Sequence, residues 1–147
     1  MNKNKVQPTN LSTTIRVQVR FSEVDPIRMV WHGNYVKYME DAREAFGRQY
    51  GLSYMHIFES GFFAPVYDMR LRYHQTAGID DVLLVTITYM SAIGGKLTFE
   101  YEICRESDGA RIVTASTTQL FTTRAGEFYP SNPPFYEVWK RKYGLPE

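Results

Sequence analysis

The segment between Ser22 and Asn34 holds the two side chains best suited to chemistry, Asp25 and His32. Asp25 precedes Pro26, and a residue before proline favours extended geometry, so its carboxylate is expected in a loop. Such a carboxylate can act as a general base on water or attack an electrophile directly. His32 could orient a carbonyl group or relay a proton. Each residue also has an ordinary structural alternative: an Asx turn for Asp25 and a bond to the loop backbone for His32.

A helix that would position these side chains is predicted directly after the loop. Asn34 is the predicted N-cap, and Gly51 stands where a glycine ends a helix. The free N–H groups near Gly33, at the positive end of the helix dipole, could hold a developing oxyanion. Glu40 and Arg43 are three residues apart, which predicts an ordinary surface pair. The buried face is predicted from residues at helical spacing: Tyr35, Tyr38, Met39, Ala42, Phe46 and Tyr50.

The remaining elements predict an α+β fold in which this one long helix packs on one antiparallel sheet, in the order β-α-β-β-β-β. Alternating apolar and polar residues indicate a strand over 13–21. Four further strands are predicted over 67–74, 82–90, 97–103 and 111–123. Residues 1–12 are predicted to be a flexible arm and 133–147 a short helix and tail, so 1–147 is interpreted as one domain. One helix covers one face of a sheet, so a second copy is expected on the other face or at an edge.

Composition excludes several classes of function. The net charge of +1 provides no general attraction to nucleic acid. The single cysteine, Cys104, cannot form an internal disulfide, and the apolar runs are too short for a membrane span, which together favour the cytoplasm. The three histidines lack HxxxH or HExxH spacing and CxxC is absent, so no metal site is predicted.

Aromatic residues make up 15% of the chain, which indicates both a core of large flat side chains and surplus aromatic surface for a partner subunit or an apolar ligand.

The run from Asp25 to Tyr35 reads DPIRMVWHGNY and is followed on the helix by Glu40 and Arg43. This pattern resembles that of the hot-dog-fold thioesterases, in particular the 4-hydroxybenzoyl-CoA thioesterase-like branch that includes the Tol–Pal-associated acyl-CoA thioesterases. The resemblance extends over residues 14–125 and includes the later segment GGKLTFEYEI.

The resemblance implies a hot-dog fold, with the helix wrapped by a curved five-stranded sheet and an active site between paired protomers of a homodimer or homotetramer. It implies acyl-CoA thioesterase activity, with Asp25 as general base or nucleophile and His32 polarising the thioester carbonyl. Coenzyme A enters as part of the substrate, and no separate cofactor is expected. Residues expected to hold the oxyanion or position the substrate are Val30, Trp31, Gly33 and Tyr35.

Two basic residues are candidate contacts for the CoA moiety, Lys96 and Arg28. Lys96 follows a Gly-Gly turn and could bind a phosphate, or could be a solvated lysine at a strand end. Arg28 occupies a position where the family usually has glycine, which permits positive φ. Three consequences are open: a reshaped loop, an ion pair that lowers the pKa of Asp25, or a grip on an acyl carboxylate or a CoA phosphate.

Two other functions are compatible with the same fold. One is a module that binds acyl-CoA or acyl carrier protein without turnover, which the replacement of glycine by Arg28 favours. The other is a hydratase or dehydratase, although the acid and histidine pairing of those enzymes is not found in this sequence.

Overall fold

The computed structural model describes residues 6–147. Five long strands build the main sheet: β1 (Gln7–Gln18), β3 (Val66–Tyr73), β4 (Val82–Ser91), β5 (Lys96–Arg105) and β6 (Arg111–Leu120). Two short strands, β2 (Phe62–Phe63) and β7 (Thr122–Thr123), form a separate pair. The helices are α1 (Asn34–Tyr50), α2 (Tyr54–Glu59) and α3 (Pro134–Lys142). In this part of the chain no helix is long and apolar enough to cross a membrane.

The main sheet is antiparallel throughout and has the strand order β1-β4-β5-β6-β3. The predicted five-stranded antiparallel sheet is therefore confirmed. Its inner face is apolar because alternate residues of the central strands point the same way. On β5 these buried residues are Leu97, Phe99, Tyr101 and Ile103. The outer face is polar and includes Thr86, Thr88, Glu100, Glu102, Thr114 and Ser116.

Helix α1 lies against the inner face through the residues that helical spacing selects. Phe46 and Phe99 are both fully buried, and their ring centroids lie 5.2 Å apart in an edge-to-face arrangement. Gly51 ends the helix with φ 75°, as predicted. Asn34 is not the N-cap: Gly33 holds that position, and the Asn34 amide donates to the carbonyl of Glu23 at 2.7 Å. The helix start is thereby tied to the chain that precedes the loop.

The N-terminal prediction needs a correction. Residues 7–12 belong to β1, where Gln7 pairs with Ser91 and Ser12 with Thr88, so the predicted arm does not extend over them. Residues 1–5 lie outside the described chain. The polar sequence of 7–12 conceals a strand because β1 is an edge strand, whose outward residues need not be apolar. The predicted strand also ends early, and Phe21 is 80% exposed rather than packed.

The predicted C-terminal helix is present as α3 and covers one end of the core. The Trp139 indole N–H donates to the carbonyl of Tyr50 at 2.7 Å, at the end of α1. Lys140 is fully buried and donates to the carbonyls of Ala92 and Gly94 at 3.1 and 3.0 Å. Burial lowers the pKa of Lys140. These bonds fasten α3 to both α1 and the β4–β5 turn.

A buried pair of tyrosines beneath α3 predicts a loss of stability in alkaline solution. The hydroxyls of Tyr89 and Tyr136 lie 2.5 Å apart, and Tyr136 donates to the Lys96 carbonyl at 2.7 Å. Burial raises the pKa of Tyr89 to about 12 and raises that of Tyr136 well above its usual value. Unfolded tyrosine titrates near pH 10, so the contribution of both phenols is complete below about pH 10 and is lost as pH rises through their folded-state values.

Urea unfolding between about pH 8 and about pH 11 measures this effect, since only the unfolded chain releases these protons near pH 10. We expect the free energy of unfolding to fall above about pH 10, with a shallower fall in Tyr136→Phe. A free energy that stays constant across the same range would contradict the prediction.

Candidate active site

The Asp25 loop, residues 24–33, is closed at its base and tied to two neighbouring segments. Val24 and Val30 form an antiparallel bridge. The Val30 N–H donates to the Ala77 carbonyl at 2.9 Å, and the Trp31 N–H donates to the Glu23 carbonyl at 3.0 Å. The loop therefore has one backbone conformation fixed by hydrogen bonds on both sides of Asp25.

The two oxygens of the Asp25 carboxylate differ, because one accepts hydrogen bonds from the loop and the other does not. Its Oδ1 accepts hydrogen bonds from the N–H groups of Ile27 at 3.0 Å and Met29 at 3.2 Å. The expected Asx-turn role is thus present. Its Oδ2 has no hydrogen-bond partner in the described chain. The side chain is half-buried, so one oxygen sets the orientation of the carboxylate and the other can meet water or substrate.

His32 is exposed, and its imidazole makes no hydrogen bond to the described protein. Its backbone carbonyl accepts a bond from the Tyr73 hydroxyl at 3.1 Å. The ring is flanked by Trp31, 4.9 Å away between centroids, and by Tyr73, 6.5 Å away. The imidazole is therefore oriented by aromatic packing rather than by the loop backbone, and both ring nitrogens can meet a ligand.

Three of the predicted site residues line one small cavity. A cavity of about 270 Å³ is lined by Val30, His32 and Tyr35, together with Tyr73 and the start of the following loop. Asp25 belongs to the same loop but does not line this cavity. In the described chain Asp25 and His32 therefore do not line a common cavity.

The start of α1 offers fewer backbone donors than the sequence predicted. The N–H groups of Val30 and Trp31 already bond to protein carbonyls, so neither can hold an oxyanion through its backbone. The N–H groups of Gly33 and Tyr35 have no acceptor in the described chain. A Cβ at Gly33 would lie 2.1 Å from the Trp31 ring, so a larger residue there would displace this half-exposed indole.

Arg28, where the resemblance implies a glycine, has the backbone conformation that glycine favours. Its φ is 65°, in the left-handed region that glycine favours, and its N–H donates to the Asp25 carbonyl at 2.9 Å. No ion pair joins Arg28 to Asp25 in the described chain, so of the three open consequences the ion pair is not formed. The left-handed conformation strains a residue with a Cβ by roughly 1 kcal/mol.

We expect Arg28→Gly to raise the free energy of unfolding by at most about 1 kcal/mol, because relief of strain is partly offset by the greater freedom of glycine in the unfolded chain. Arg28→Val should lower it, since a β-branched residue is poorly tolerated at positive φ. Urea unfolding of the two variants measures both. A glycine variant less stable than wild type by more than about 1 kcal/mol would show that the guanidinium makes a stabilising contact.

Lys96 lies far from the Asp25 loop. The loop rests beside Gly78, just before β4, through the bridge from Met29. Lys96 follows the other end of β4, whose ten residues span about 30 Å at roughly 3.3 Å each. The described chain therefore does not bring Lys96 and Asp25 into one site.

The predicted surface pair of Glu40 and Arg43 is wrong. Arg43 turns inward, where its Nε donates to the Gln119 Oε1 and its Nη1 to the Leu52 carbonyl, both at 3.0 Å. Its guanidinium stacks 4.7 Å from the Phe99 ring centroid. Helical spacing places these two residues as neighbours, but packing of Arg43 against the sheet decides its direction. No local signal in the sequence indicated this.

Arg43 borders a second cavity, the Arg43 cleft, which sequence reasoning missed. Its volume is about 280 Å³, and it opens between α1, α2 and the β3 side of the sheet. The residues that define it are Met39, Arg43, Ile57, Met69, Tyr101 and Thr117. Five separate elements, α1, α2, β3, β5 and β6, must pack before these side chains meet, so spacing along the chain cannot reveal the cleft.

Comparison with known proteins identifies the family. The profile of the thioesterase-like superfamily matches residues 19–139. The chain belongs to the thioesterase-like superfamily. The putative acyl-CoA thioesterase YneP of Bacillus subtilis is 28% identical over 87 residues, which cover 59% of this chain and 63% of that relative. The match thus spans less than two thirds of that curated relative.

Solved structures of similar proteins have the same fold as this chain. The 1,4-dihydroxy-2-naphthoyl-CoA thioesterase Slr0204 from Synechocystis has a TM-score of 0.77 at 20% identity, covering 92% of this chain and 99% of that one. The 4-hydroxybenzoyl CoA thioesterase from Pseudomonas sp. strain CBS-3 has a TM-score of 0.74 at 21% identity, covering 87% and 98%. With the helix on its five-stranded antiparallel sheet, the predicted hot-dog fold is confirmed.

Proposed function

We propose that this thioesterase-superfamily chain hydrolyses acyl-CoA thioesters and that Asp25 acts on the substrate. The observation that carries the proposal is the divided role of the Asp25 carboxylate. Oδ1 is held by two backbone N–H groups, which leaves Oδ2 to remove a proton from water or to attack the thioester carbonyl. The name of the relative YneP, a putative acyl-CoA thioesterase, supports the same reaction.

The other parts of the reaction fall to the start of α1 and to His32. The N–H groups of Gly33 and Tyr35 would donate to the thioester oxygen as negative charge develops on it, at the positive end of the helix dipole. His32 would orient the carbonyl from the side on which Trp31 and Tyr73 flank its ring. On the general-base route, collapse of the tetrahedral intermediate expels the CoA thiolate, which takes up the proton that Asp25 removed from water, and leaves the carboxylic acid. On the nucleophilic route, attack by Asp25 expels the CoA thiolate first, and water then hydrolyses the acyl-Asp25 anhydride to the carboxylic acid.

We infer that two copies pair to complete the site. Strand β3 pairs only with β6, so its other edge is free within the described chain. Its side chains include large exposed groups: Val66 is 51% exposed, Tyr67 75% and Tyr73 49%. Antiparallel pairing of β3 with β3 of a second copy would satisfy the free backbone groups and bury this surface.

The same pairing would bring together the parts that one protomer separates. Tyr73, at the end of β3, contacts His32, whereas Val66 and Met69, nearer its start, border the Arg43 cleft. In an antiparallel pair the end of one strand lies beside the start of the other. The Asp25 loop of one protomer would then face the Arg43 cleft of its partner. The homotetramer would add contacts through the polar outer face of the sheet.

The binding-module alternative rests on Arg28 in place of glycine. Arg28 adopts the left-handed conformation that glycine favours, which is compatible with the turn that a glycine would form. That finding favours turnover over binding alone.

The experiment is a free-thiol release assay on purified protein with short-chain, long-chain and aromatic acyl-CoAs, followed by mass spectrometry of the acyl product. Equal amounts of thiol and free acid support hydrolysis. Intact thioester bound to the protein after long incubation supports the binding module and contradicts hydrolysis. A changed double bond with the thioester retained indicates a hydratase or dehydratase.

A further inference from the structure

The Asp25 loop rests on a short stretch of chain between β3 and β4, the Ala77 segment (residues 76–81). The Val30 N–H donates to the Ala77 carbonyl at 2.9 Å, and Met29 forms an antiparallel bridge with Gly78. Ala77 is 1% exposed, so this contact lies in the interior. The Ala77 segment is therefore a support that sets where the loop lies relative to the rest of the fold.

Asp81 holds the Ala77 segment from within, where no helix or long strand fixes the backbone. Its Oδ2 accepts a hydrogen bond from the Gly78 N–H at 2.9 Å. Its backbone carbonyl accepts from the N–H of Val19, just after β1, at 2.8 Å. Asp80, beside it, has φ 67°, a left-handed conformation that costs a residue with a Cβ roughly 1 kcal/mol. Such a strained turn persists only where its surroundings hold it.

Arg105, at the end of β5, bonds to both ends of the Ala77 segment. Its Nη2 donates to the Thr76 carbonyl at 2.7 Å, and its Nε donates to the Asp81 Oδ2 at 3.2 Å. Its Nη1 donates to Asp108, in the turn after β5, at 2.9 Å. Because the guanidinium is planar and its donors have a fixed geometry, these bonds set the separation of the two ends. The Arg105 side chain is only 18% exposed, which limits competition from water.

The turn that carries Asp25 is internally bonded, so a shift at its base would move it as a unit. The Asp25 N–H donates to the Met29 carbonyl at 2.7 Å, and Oδ1 is held by two backbone N–H groups. The Ala77 segment contacts this turn at Met29 and Val30. The donors proposed for the oxyanion, the N–H groups of Gly33 and Tyr35, belong to the start of α1. A displacement of about 1 Å between such groups can cost about a hundredfold in rate.

We propose that Arg105 and Asp81 are positioning residues for the reaction, which hold the Asp25 loop through the Ala77 segment so that its carboxylate meets the thioester at the start of α1. Neither side chain hydrogen-bonds to the Asp25 loop in the described chain, and neither lines the cavity beside His32. Both act through the backbone of the Ala77 segment. The inference rests on the proposed function and extends its machinery to the end of β5.

The test measures kcat and KM separately for Asp81→Ala and Arg105→Gln, with the acyl-CoA that wild type hydrolyses best and at a temperature where circular dichroism shows each variant folded. We expect kcat to fall by about tenfold or more and KM to stay within about twofold, because the substrate contacts remain and only the placement of the carboxylate changes. Wild-type kcat in both variants, or a higher KM with unchanged kcat, overturns the inference.

Two conservative variants separate positioning from a general loss of stability. Asp81→Asn should stay within about threefold of wild-type kcat, since its amide oxygen can still accept from the Gly78 N–H. Arg105→Lys keeps the charge but replaces the fork with one donor atom, so it should lower kcat by about threefold or more. It also serves as the test at this position if Arg105→Gln does not fold. Wild-type kcat in Arg105→Lys would then overturn the role of Arg105.

Arg16→Gln is the matched control. Arg16 also binds a carboxylate through two nitrogens, at 2.7 and 3.0 Å from Glu106, and this pair makes no hydrogen bond to the Ala77 segment. The control should keep wild-type kcat. A loss of kcat in Arg16→Gln as large as in Arg105→Gln would attribute the effect to removal of any surface ion pair, and would overturn the assignment.

Amide hydrogen exchange measured by NMR separates failure of this inference from failure of the proposed function. The Val30 N–H, which bonds to Ala77, reports whether the loop is held. Relative to the core amide of Phe99, we expect it to exchange about tenfold faster or more in Asp81→Ala and Arg105→Gln, and at the wild-type rate in Arg16→Gln. If wild type hydrolyses no acyl-CoA, the proposed function fails, and unchanged exchange at Val30 overturns the inference separately. If wild type hydrolyses acyl-CoA and the variants keep its kcat, the inference fails and the proposed function stands.

Discussion

Replacing Asp25 by Asn is expected to lower kcat/KM for acyl-CoA hydrolysis by about a hundredfold or more while leaving the fold unchanged. The amide oxygen of asparagine can still accept the bonds that Ile27 and Met29 donate to Oδ1. The turn therefore keeps its two side-chain hydrogen bonds. What is lost is the negative charge on Oδ2, and with it the ability to take a proton or to attack the carbonyl.

Free-thiol release and thermal unfolding of the same preparations separate chemistry from stability. Asp41→Asn is the matched control, since Asp41 is an exposed carboxylate on α1. It should keep wild-type activity. An Asp25→Asn protein with wild-type kcat/KM would remove Asp25 from the reaction, and a large drop in melting temperature would attribute the lost activity to the loop rather than to the charge.

Gly47→Ala is expected to lower the free energy of unfolding by about 3 kcal/mol, the upper end of the usual cost of overpacking. Helix propensity predicts the opposite sign, because alanine is favoured over glycine inside a helix by about 1 kcal/mol. In this helix, however, a Cβ at Gly47 would lie 2.5 Å from the Ser53 Cα and 2.8 Å from the Leu52 carbonyl oxygen. Those are backbone atoms of the chain that returns beneath α1, so they cannot move without displacing α2.

Urea unfolding measures the change, with Gly51→Ala as the control for removal of a glycine in the same region. A Cβ at Gly51 meets open space, and only its φ of 75° opposes alanine, so a loss of roughly 1 kcal/mol is expected there. A Gly47→Ala protein as stable as wild type would show that the return of the chain beneath α1 is looser than the contact distances indicate.

The elements that the sequence predicted well are those whose buried face repeats regularly. Alternation in β5 placed Phe99 and Tyr101 on the inner face, where both are buried. Helical spacing placed Phe46 against the sheet, and Gly51 ended α1 where a left-handed residue was needed. These signals are local, because burial on one side of a regular element imposes its own period on the sequence.

The predictions that were wrong depend on contacts between distant segments. Residues 7–12 look polar, yet they pair with β4 as an edge strand. Asn34 has the chemistry of an N-cap but bonds to Glu23, eleven residues earlier. Arg43 has the spacing of a surface pair, yet it bonds to Gln119 across the core. In each case a tertiary hydrogen bond outweighs the local preference.

The candidate site was predicted only in part, because some of its features are local in the sequence and others depend on contacts between distant segments. Asp25 and His32 stand in one short loop, so their types and spacing were visible in the sequence. The division of the Asp25 carboxylate into a bonded and an unbonded oxygen depends on the exact turn, which Arg28 at positive φ completes. The Arg43 cleft forms only when five elements pack together, so no spacing along the chain predicts it.

The most direct test of the central claim is the number of thiols released per protein chain when wild-type protein is given a large molar excess of a CoA thioester that it binds. Catalysis through Asp25 predicts many thiols per chain, an equal amount of free carboxylic acid, and almost none of either from Asp25→Asn under the same conditions. One thiol or fewer per wild-type chain, with the acyl-CoA recovered intact, would contradict hydrolysis and leave a protein that only binds its ligand.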